Sequence, residues 1–220
     1  ESPWRRSMLR PKVQMLRKHA LDVVSLAILG VAVYLLAQPG SVARAAWDRQ
    51  REARLASRAL ERRWPTLTTR AQPLYAGAAP PELVEVSDYT CPYCRRVEPV
   101  VDSALAAGVR LGYVHAPNPE RPAALAAARA ALCAGDAGRF PAMHARLMST
   151  ADWQRDSTFV RDAEAAGITD LPTFAACLNA PGTFARLAAH RVLSDSLRLR
   201  GTPTFLSAHR SHSGTLTLAA

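Results

Sequence analysis

The pair Cys91 and Cys94, spaced as Cys91-Pro92-Tyr93-Cys94, stands between a strand pattern and a helix pattern, and that placement narrows the possible folds more than any other feature of the chain. Residues 82–89 (ELVEVSDY) bring Leu83, Val84 and Val86 together and read as a buried strand. Residues 95–107 (RRVEPVVDSALAA) set Val97, Val100, Val101 and Leu105 on one side of a helix that Pro99 is expected to kink. After a break at Gly108, residues 109–115 (VRLGYVH) read as a second strand, so the motif opens a βαβ unit. A cysteine in the first turn of a helix meets unpaired N–H groups and the positive end of the macrodipole, and both stabilise a thiolate. Cys91 is therefore the candidate nucleophile. Cys94, about one turn deeper, is positioned to close a small ring by attack on a mixed disulfide. Pro92 has no N–H to lose at the first turn and stiffens the ring, and Tyr93 sets a ring edge beside the sulfur without reacting.

The rival use of a Cys-x-x-Cys is zinc, which needs two further ligands at comparable spacing. Cys133 and Cys177 stand singly and far apart. His115, His144 and His190 are scattered without a paired spacing, and His209 and His212 fall in a polar turn. No metal is expected. An inert disulfide within the motif would close too short a loop to add much stability.

With 28 Lys+Arg against 18 Asp+Glu the chain carries a formal +10, which taken whole suggests a nucleic-acid partner. Position decides otherwise. Residues 1–79 hold 14 basic and 5 acidic side chains, whereas residues 80–220 hold 14 and 13. The near-neutral remainder has no electrostatic footprint for a phosphate backbone, so no nucleic-acid partner is expected. It does have a core to bury, since 49% of the chain is apolar and 21% charged.

Residues 23–43 (VVSLAILGVAVYLLAQPGSVA) carry no formal charge, and as one helix they would span about 31 Å, the thickness of a bilayer core. Arg5, Arg6, Arg10, Lys12, Arg17 and Lys18 precede them, and Arg44, Arg49, Arg51 and Arg54 follow, a narrow positive-inside balance for a cytoplasmic N-terminus. The resulting organisation is a basic cytoplasmic segment over 1–22, a single-pass transmembrane anchor over 23–43, a helical stem and linker over 44–79, and a domain over 80–220. The alternative is a signal sequence cut at Ala43-Arg44-Ala45, leaving a secreted product. Either reading puts the later residues outside the cytoplasm, in a periplasmic or other extracytoplasmic space. Residues 41–64 lack Gly and Pro and suit a helix in which Trp47, Leu55, Leu60 and Trp64 make a weak stripe among arginines. Pro65, Pro73, Pro80 and Pro81 then mark a linker.

Residues 120–200 have little β character and read as helices near 121–134, 138–150, 157–166, 171–179 and 182–199. Gly201-Thr202-Pro203-Thr204-Phe205 begins another strand. The runs VEVSDYTCPYCRRVEP, CAGDAGRFPAMHARLM at 133–148, FAACL at 174–178 and GTPTF together resemble the thioredoxin-fold thiol:disulfide oxidoreductases, in the DsbA-like branch, over about residues 82–207. The resemblance implies an α/β thioredoxin-like fold with an inserted helical cap at 120–200, here behind a transmembrane helix and a helical stem. It also implies a cis Pro203 facing the active disulfide, with Thr202 giving backbone contact to sulfur or substrate. Glu85, six residues before Cys91, would be a buried acid relaying the proton that Cys94 must lose. Asp88 is the weaker candidate and better suits a capping or surface role. Cys133 and Cys177 are either buried free thiols or a structural disulfide stapling the cap, as some of the resembling branch have in this region.

No cofactor beyond the redox-active pair Cys91–Cys94 is implied. The activity implied is disulfide formation in unfolded or reduced secreted proteins by a membrane-tethered oxidase. A quinone-linked membrane partner of the DsbB or vitamin-K-epoxide-reductase type would re-oxidise it. A reductase or isomerase direction, or a non-catalytic assembly subunit of a membrane complex, stays open at this point. One departure from the family pattern stands at the end. After Phe205 the residues LSAHRSHSGTLTLAA allow a strand, a polar turn at 209–214 and a second strand through Leu218, without the terminal helix usual in the fold. Either the sequence is cut short there, or the stem helix or a partner covers that face of the sheet.

Overall fold

The computed structural model describes residues 4–38, 41–155, 159–199 and 201–216, with the backbone alone described over 4–18 and at residues 20 and 21. The chain divides into two compact units, Glu1–Ala56 and Ser57–Ala220.

In the first unit, helix α1 (Trp4–Ala37) carries the apolar run, and α2 (Val42–Arg70) starts after it and continues into the second unit. The single 23–43 helix expected from hydropathy is thus divided. The sequence at the division, Gln38-Pro39-Gly40-Ser41, combines a residue without an N–H and a poor helix former, and Pro39 and Gly40 themselves lie outside the described residues. Ser41 restarts the helix, its Oγ accepting the N–H of Arg44 at 3.1 Å. The apolar side chains from Val23 to Leu36 are exposed. Among the described residues no single helix is long and apolar enough to cross a bilayer, and Asp22–Ala37 with Val42–Arg70 reach that length and composition only as a bent pair.

The second unit follows as β1 (Gln72–Pro73), β2 (Leu83–Ser87), α3 (Pro92–Ala106), β3 (Leu111–His115), α4 (Pro122–Asp136), α5 (Phe140–Ser149), a 3-10 turn (Asp152–Gln154), α6 (Val160–Ala165), α7 (Leu171–Leu178), α8 (Pro181–Ser196), β4 (Thr204–Leu206) and β5 (Ser211–Ser213). Prolines in the first turn open α3, α4, α5, α7 and α8, where a missing N–H costs nothing. Gly108, Gly138 and Gly167 follow α3, α4 and α6 with positive φ, the conformation that ends a helix. The strands form one sheet in the order β1-β3-β2-β4-β5, with β2 and β3 parallel and the other pairs antiparallel. Two of these strands differ from expectation. β1 lies in the supposed linker, and β5 lies within the supposed polar turn, where Ser211, His212 and Ser213 are exposed and pair with β4 through the backbone and a 3.0 Å contact between the Ser213 and Thr204 hydroxyls. Hydropathy carries no signal for such an edge. The expected strand end at Leu218 lies outside the described residues.

Alternation along β2 sorts the two faces of the sheet. Val84 and Val86 join Val114, Leu206 and Leu193 of α8 beneath Leu60, Leu67 and the partly buried Trp64 of α2. The end of the stem helix therefore covers the face left open by the sequence reading, and the domain packs from Ser57 onward rather than from residue 80. On the opposite face, α3 through Cys94, Val97 and Val101 and the inserted helices α4 to α7 enclose the larger core with Leu111, Tyr113 and Phe205. Glu85 and Ser87, out of phase with the valines, belong to this second face.

Candidate active site

Cys91 occupies the N-cap position of α3 in an extended conformation, with Pro92 next, so the helix starts at the sulfur. Its Sγ lies 3.4 Å from the carbonyl oxygen of Thr202, and the Thr202–Pro203 peptide is cis. Cys91 is partly exposed and Cys94 fully buried, and both are free thiols. The two sulfurs differ sharply in acidity. Hydrogen bonds from the Cys94 thiol, then from the Thr202 side chain and the N–H groups of Cys94 and Tyr93, hold Cys91 well below an ordinary thiol, against a smaller opposing effect of burial. Cys94 is pushed far up, because its proton is engaged by Cys91 and because it is buried. One thiolate is thus favoured, and it is the accessible one.

Asp88 is buried and holds the loop that enters the helix. Its Oδ1 accepts the Thr90 N–H at 2.8 Å and the Thr90 hydroxyl at 2.9 Å, and its Oδ2 accepts the Asn118 N–H at 2.9 Å. The expected capping or surface role is corrected to an interior tie between two loops. Arg95 pins α3 to the cap, donating from Nη1 to Leu147 O at 2.8 Å and from Nη2 to Thr150 O at 2.7 Å. Tyr93 points outward, and the Arg96 guanidinium lies 5.3 Å from its ring centre.

Glu85 is fully buried on β2. Its register partners are Tyr113 on β3 and Phe205 on β4, and neither carboxyl oxygen has a hydrogen bond. Loss of hydration, followed by the nearby Glu98, pushes its pKa up to about 8. At neutral pH the group holds a proton inside the protein. Ser87 Oγ, Tyr113 Oη, His115 Nδ1 and Glu98 Oε2 are likewise buried without partners, so the layer between the sheet and α3 is polar where a core is normally dry.

Three histidines that looked isolated in the sequence meet in this layer or beside it. His144 on α5 pairs through Nε2 with Glu98 Oε1 at 2.8 Å, and its Nδ1 is 3.3 Å from the Tyr89 hydroxyl. His115 stands edge-on to Tyr113 at 5.0 Å, and its backbone N–H donates to His190 Nδ1 at 3.1 Å. Burial lowers His115 well below the usual histidine range, with His190 adding to it. His190 falls to about 4 through burial and the charges of Arg70 and Arg186. The weak sequence signal for Glu98 was its spacing four residues past Cys94, and for His144 its place in the apolar stripe Phe140, Met143, Leu147.

Cys133 and Cys177 are bonded, joining α4 to α7 at a distance from the Cys91–Cys94 pair in the sequence and on different helices. Among the described residues no group of three or more His, Cys, Asp or Glu is placed to hold a metal ion.

A family model described as Thioredoxin matches residues 74–220. The Na(+)/H(+) antiporter NhaA 3 of Salinispora tropica is 34% identical over 145 residues, which are 64% of this chain and 22% of the antiporter. The chain therefore spans about a fifth of the curated relative that it matches. Among solved structures, a thioredoxin-like oxidoreductase from Silicibacter pomeroyi is 32% identical with a TM-score of 0.55, over 61% of this chain and 78% of that one. Proteus mirabilis ScsC in a compact conformation shares the fold at 20% identity, with a TM-score of 0.60 over 93% of this chain and 98% of that one.

Proposed function

The chain belongs to the thioredoxin family, and from that premise we propose that it is a thiol:disulfide oxidoreductase that forms disulfides in reduced, secreted proteins. The observation that carries this reading is the asymmetry of the cysteines: a stabilised thiolate on accessible Cys91 favours the reduced form of the pair and so makes its disulfide a good oxidant.

Turnover begins with the Cys91–Cys94 disulfide. A client thiolate attacks Cys91 Sγ, the S–S bond breaks, and its electron pair goes to Cys94, which takes a proton from Glu85. The client's second thiolate then attacks its own sulfur in the mixed disulfide. Cys91 leaves as the thiolate that Cys94, Thr202 and the helix N–H groups stabilise. Two electrons have passed from client to enzyme, and a quinone-linked membrane protein accepts them when the pair is re-oxidised. Thr202 meets Cys91 through its carbonyl oxygen, and Cys133–Cys177 staples the cap without taking part.

An extracytoplasmic site is supported by that second, bonded pair, because reducing compartments keep such cysteines as thiols. Tethering rests on the exposed apolar side chains from Val23 to Leu36 and the basic residues on both sides of them.

The test is oxidation of a reduced two-cysteine peptide by the full chain, with Cys91→Ser as the control. Unchanged activity in that variant sinks the enzyme reading. The reduction potential of the pair fixes the direction: a value near about −120 mV supports the oxidase, and one near about −270 mV would make it a reductase.

A further inference from the structure

The helical cap contains a feature that the thiol chemistry does not use. Between the start of α4, the 3-10 turn and the end of α7 lies a cavity of about 450 Å³, within the range that holds small organic ligands. Its lining includes neither Cys91 nor Cys94, and neither Thr202 nor Pro203. Ala126 of α4, Phe159 and Leu178 of α7 give it apolar walls, whereas Arg129 of α4, Arg155 and Asn179 supply hydrogen-bond donors. Among the described residues that line it there are two cations and no acid.

Arg129 is the unusual member. Its Nε is buried without a hydrogen-bond partner, and its guanidinium carbon stands 4.8 Å from the ring centre of Phe184 on α8. Burial alone lowers its pKa, and no described carboxylate opposes that effect. By contrast, Arg186 meets Asp136 at 2.6 Å and Arg146 meets Asp162 at 2.7 Å. A partly desolvated cation without a counter-charge is costly, and a carboxylate brought in by a ligand offsets that cost. The two walls are also tied together. Cys133, one turn past Arg129, is bonded to Cys177, which directly precedes Leu178, so the second disulfide joins the α4 wall to the α7 wall.

We propose that this cavity is a binding site for an organic carboxylate with an apolar body, with Arg129 and Arg155 holding the anion and Ala126, Phe159 and Leu178 enclosing the remainder. The planar guanidinium of Arg129 can give two parallel N–H bonds to a carboxylate, and Asn179 adds a neutral donor. A small hydrated anion would leave the apolar walls without contact. The same chemistry comes from two sources, a free acid or the C-terminal residue of a polypeptide. Binding here involves no thiol exchange, so the site stands or falls apart from the oxidoreductase reading.

The experiment is a fluorine NMR titration of 4-fluorophenylacetate with the full chain. Saturable binding is expected, with a Kd below about 1 mM. Arg129→Met keeps a long side chain against Phe184 but removes the charge, and should weaken binding by about tenfold or more, with Arg129→Lys in between. The uncharged 4-fluorophenylacetamide should bind the parent more weakly than the acid by a similar factor. Ala126→Phe, which fills the cavity and leaves both arginines, should abolish binding, and it decides the matter if Arg129→Met does not fold. Displacement separates the two sources: an acetylated dipeptide ending in phenylalanine with a free carboxylate that displaces the probe better than phenylacetate assigns the site to a chain end, and the reverse order assigns it to a free acid. Absence of saturable binding overturns the proposal, as does an amide that binds as well as the acid. Parent-like affinity in folded Arg129→Met also overturns it, because the exposed apolar residues of α1 are the same in both chains and would take up the probe equally.

Discussion

Cys91 Sγ and the carbonyl oxygen of Thr202 are 3.4 Å apart across 111 positions of sequence, so the loop before β4 closes over the N-terminus of α3. The thiolate environment is therefore built from two distant segments, and its contributions can be separated.

Thiolate absorbance of the reduced chain near 240 nm should show a transition well below the ~8.5 of a free thiol, absent in Cys91→Ser. Cys94→Ala should raise that transition most, because the Cys94 thiol is the first cause of the shift. Thr202→Val, which removes only the hydroxyl, should raise it less, by about half a unit to one unit. The reverse order would assign the stabilisation to the wrong segment.

Glu85 offers a stability test with a defined sign. Its native pKa of about 8 lies above the 4.5 of an unfolded glutamate, so the native state binds the proton more tightly, and that stabilisation is complete below 4.5 and lost as pH rises through 8. Glu85→Gln has no charge to bury. Its stability relative to the reduced parent should therefore climb across this window, by roughly 5 kcal/mol in total, in urea titrations at a series of pH values. A difference independent of pH would mean that Glu85 is hydrated in solution.

His190 predicts the opposite limb. Its native value of about 4 lies below the 6.5 of an unfolded histidine, so the stability it allows is present above 6.5 and lost as pH falls through 4. His190→Asn retains an acceptor for the His115 N–H but does not titrate in this range. Between pH 6.5 and 4 it should lose about 3 kcal/mol less than the parent. Equal losses would move the acid limb to His115, which burial lowers in the same direction.

What was legible in the sequence follows from the range of the signal. The strand, Cys-x-x-Cys and helix order and the boundaries of α4 to α8 were readable because proline and glycine punctuate them locally. β1 and β5 were not, since strands of two and three residues without buried apolar side chains are too short to carry an alternating pattern. Glu85 was found through resemblance, whereas Glu98 and His144 were missed because their meeting joins positions 46 apart on different helices. Read one at a time, the histidines looked isolated, and only the packing of α5 against α3 and β3 gives them a common environment. The break in the apolar run was written in Pro39 and Gly40, but a count of uncharged residues passes over it.

The end of α2 gives the last test. Leu67 is fully buried against the sheet face formed by Val84, Val86, Val114 and Leu206, whereas Leu55, three turns earlier on the same helix, is 55% exposed. If these turns serve the domain as its cover for that face, Leu67→Ala removes a buried side chain and leaves a cavity, costing about 2–5 kcal/mol. Leu55→Ala should stay within about 0.5 kcal/mol of the parent. Denaturant midpoints measure both, and equal midpoints would show that the helix end does not lie on the sheet in solution. Cys91 thiolate absorbance should be nearly unchanged in folded Leu67→Ala, because the sheet separates Leu67 from the face that carries the cysteines.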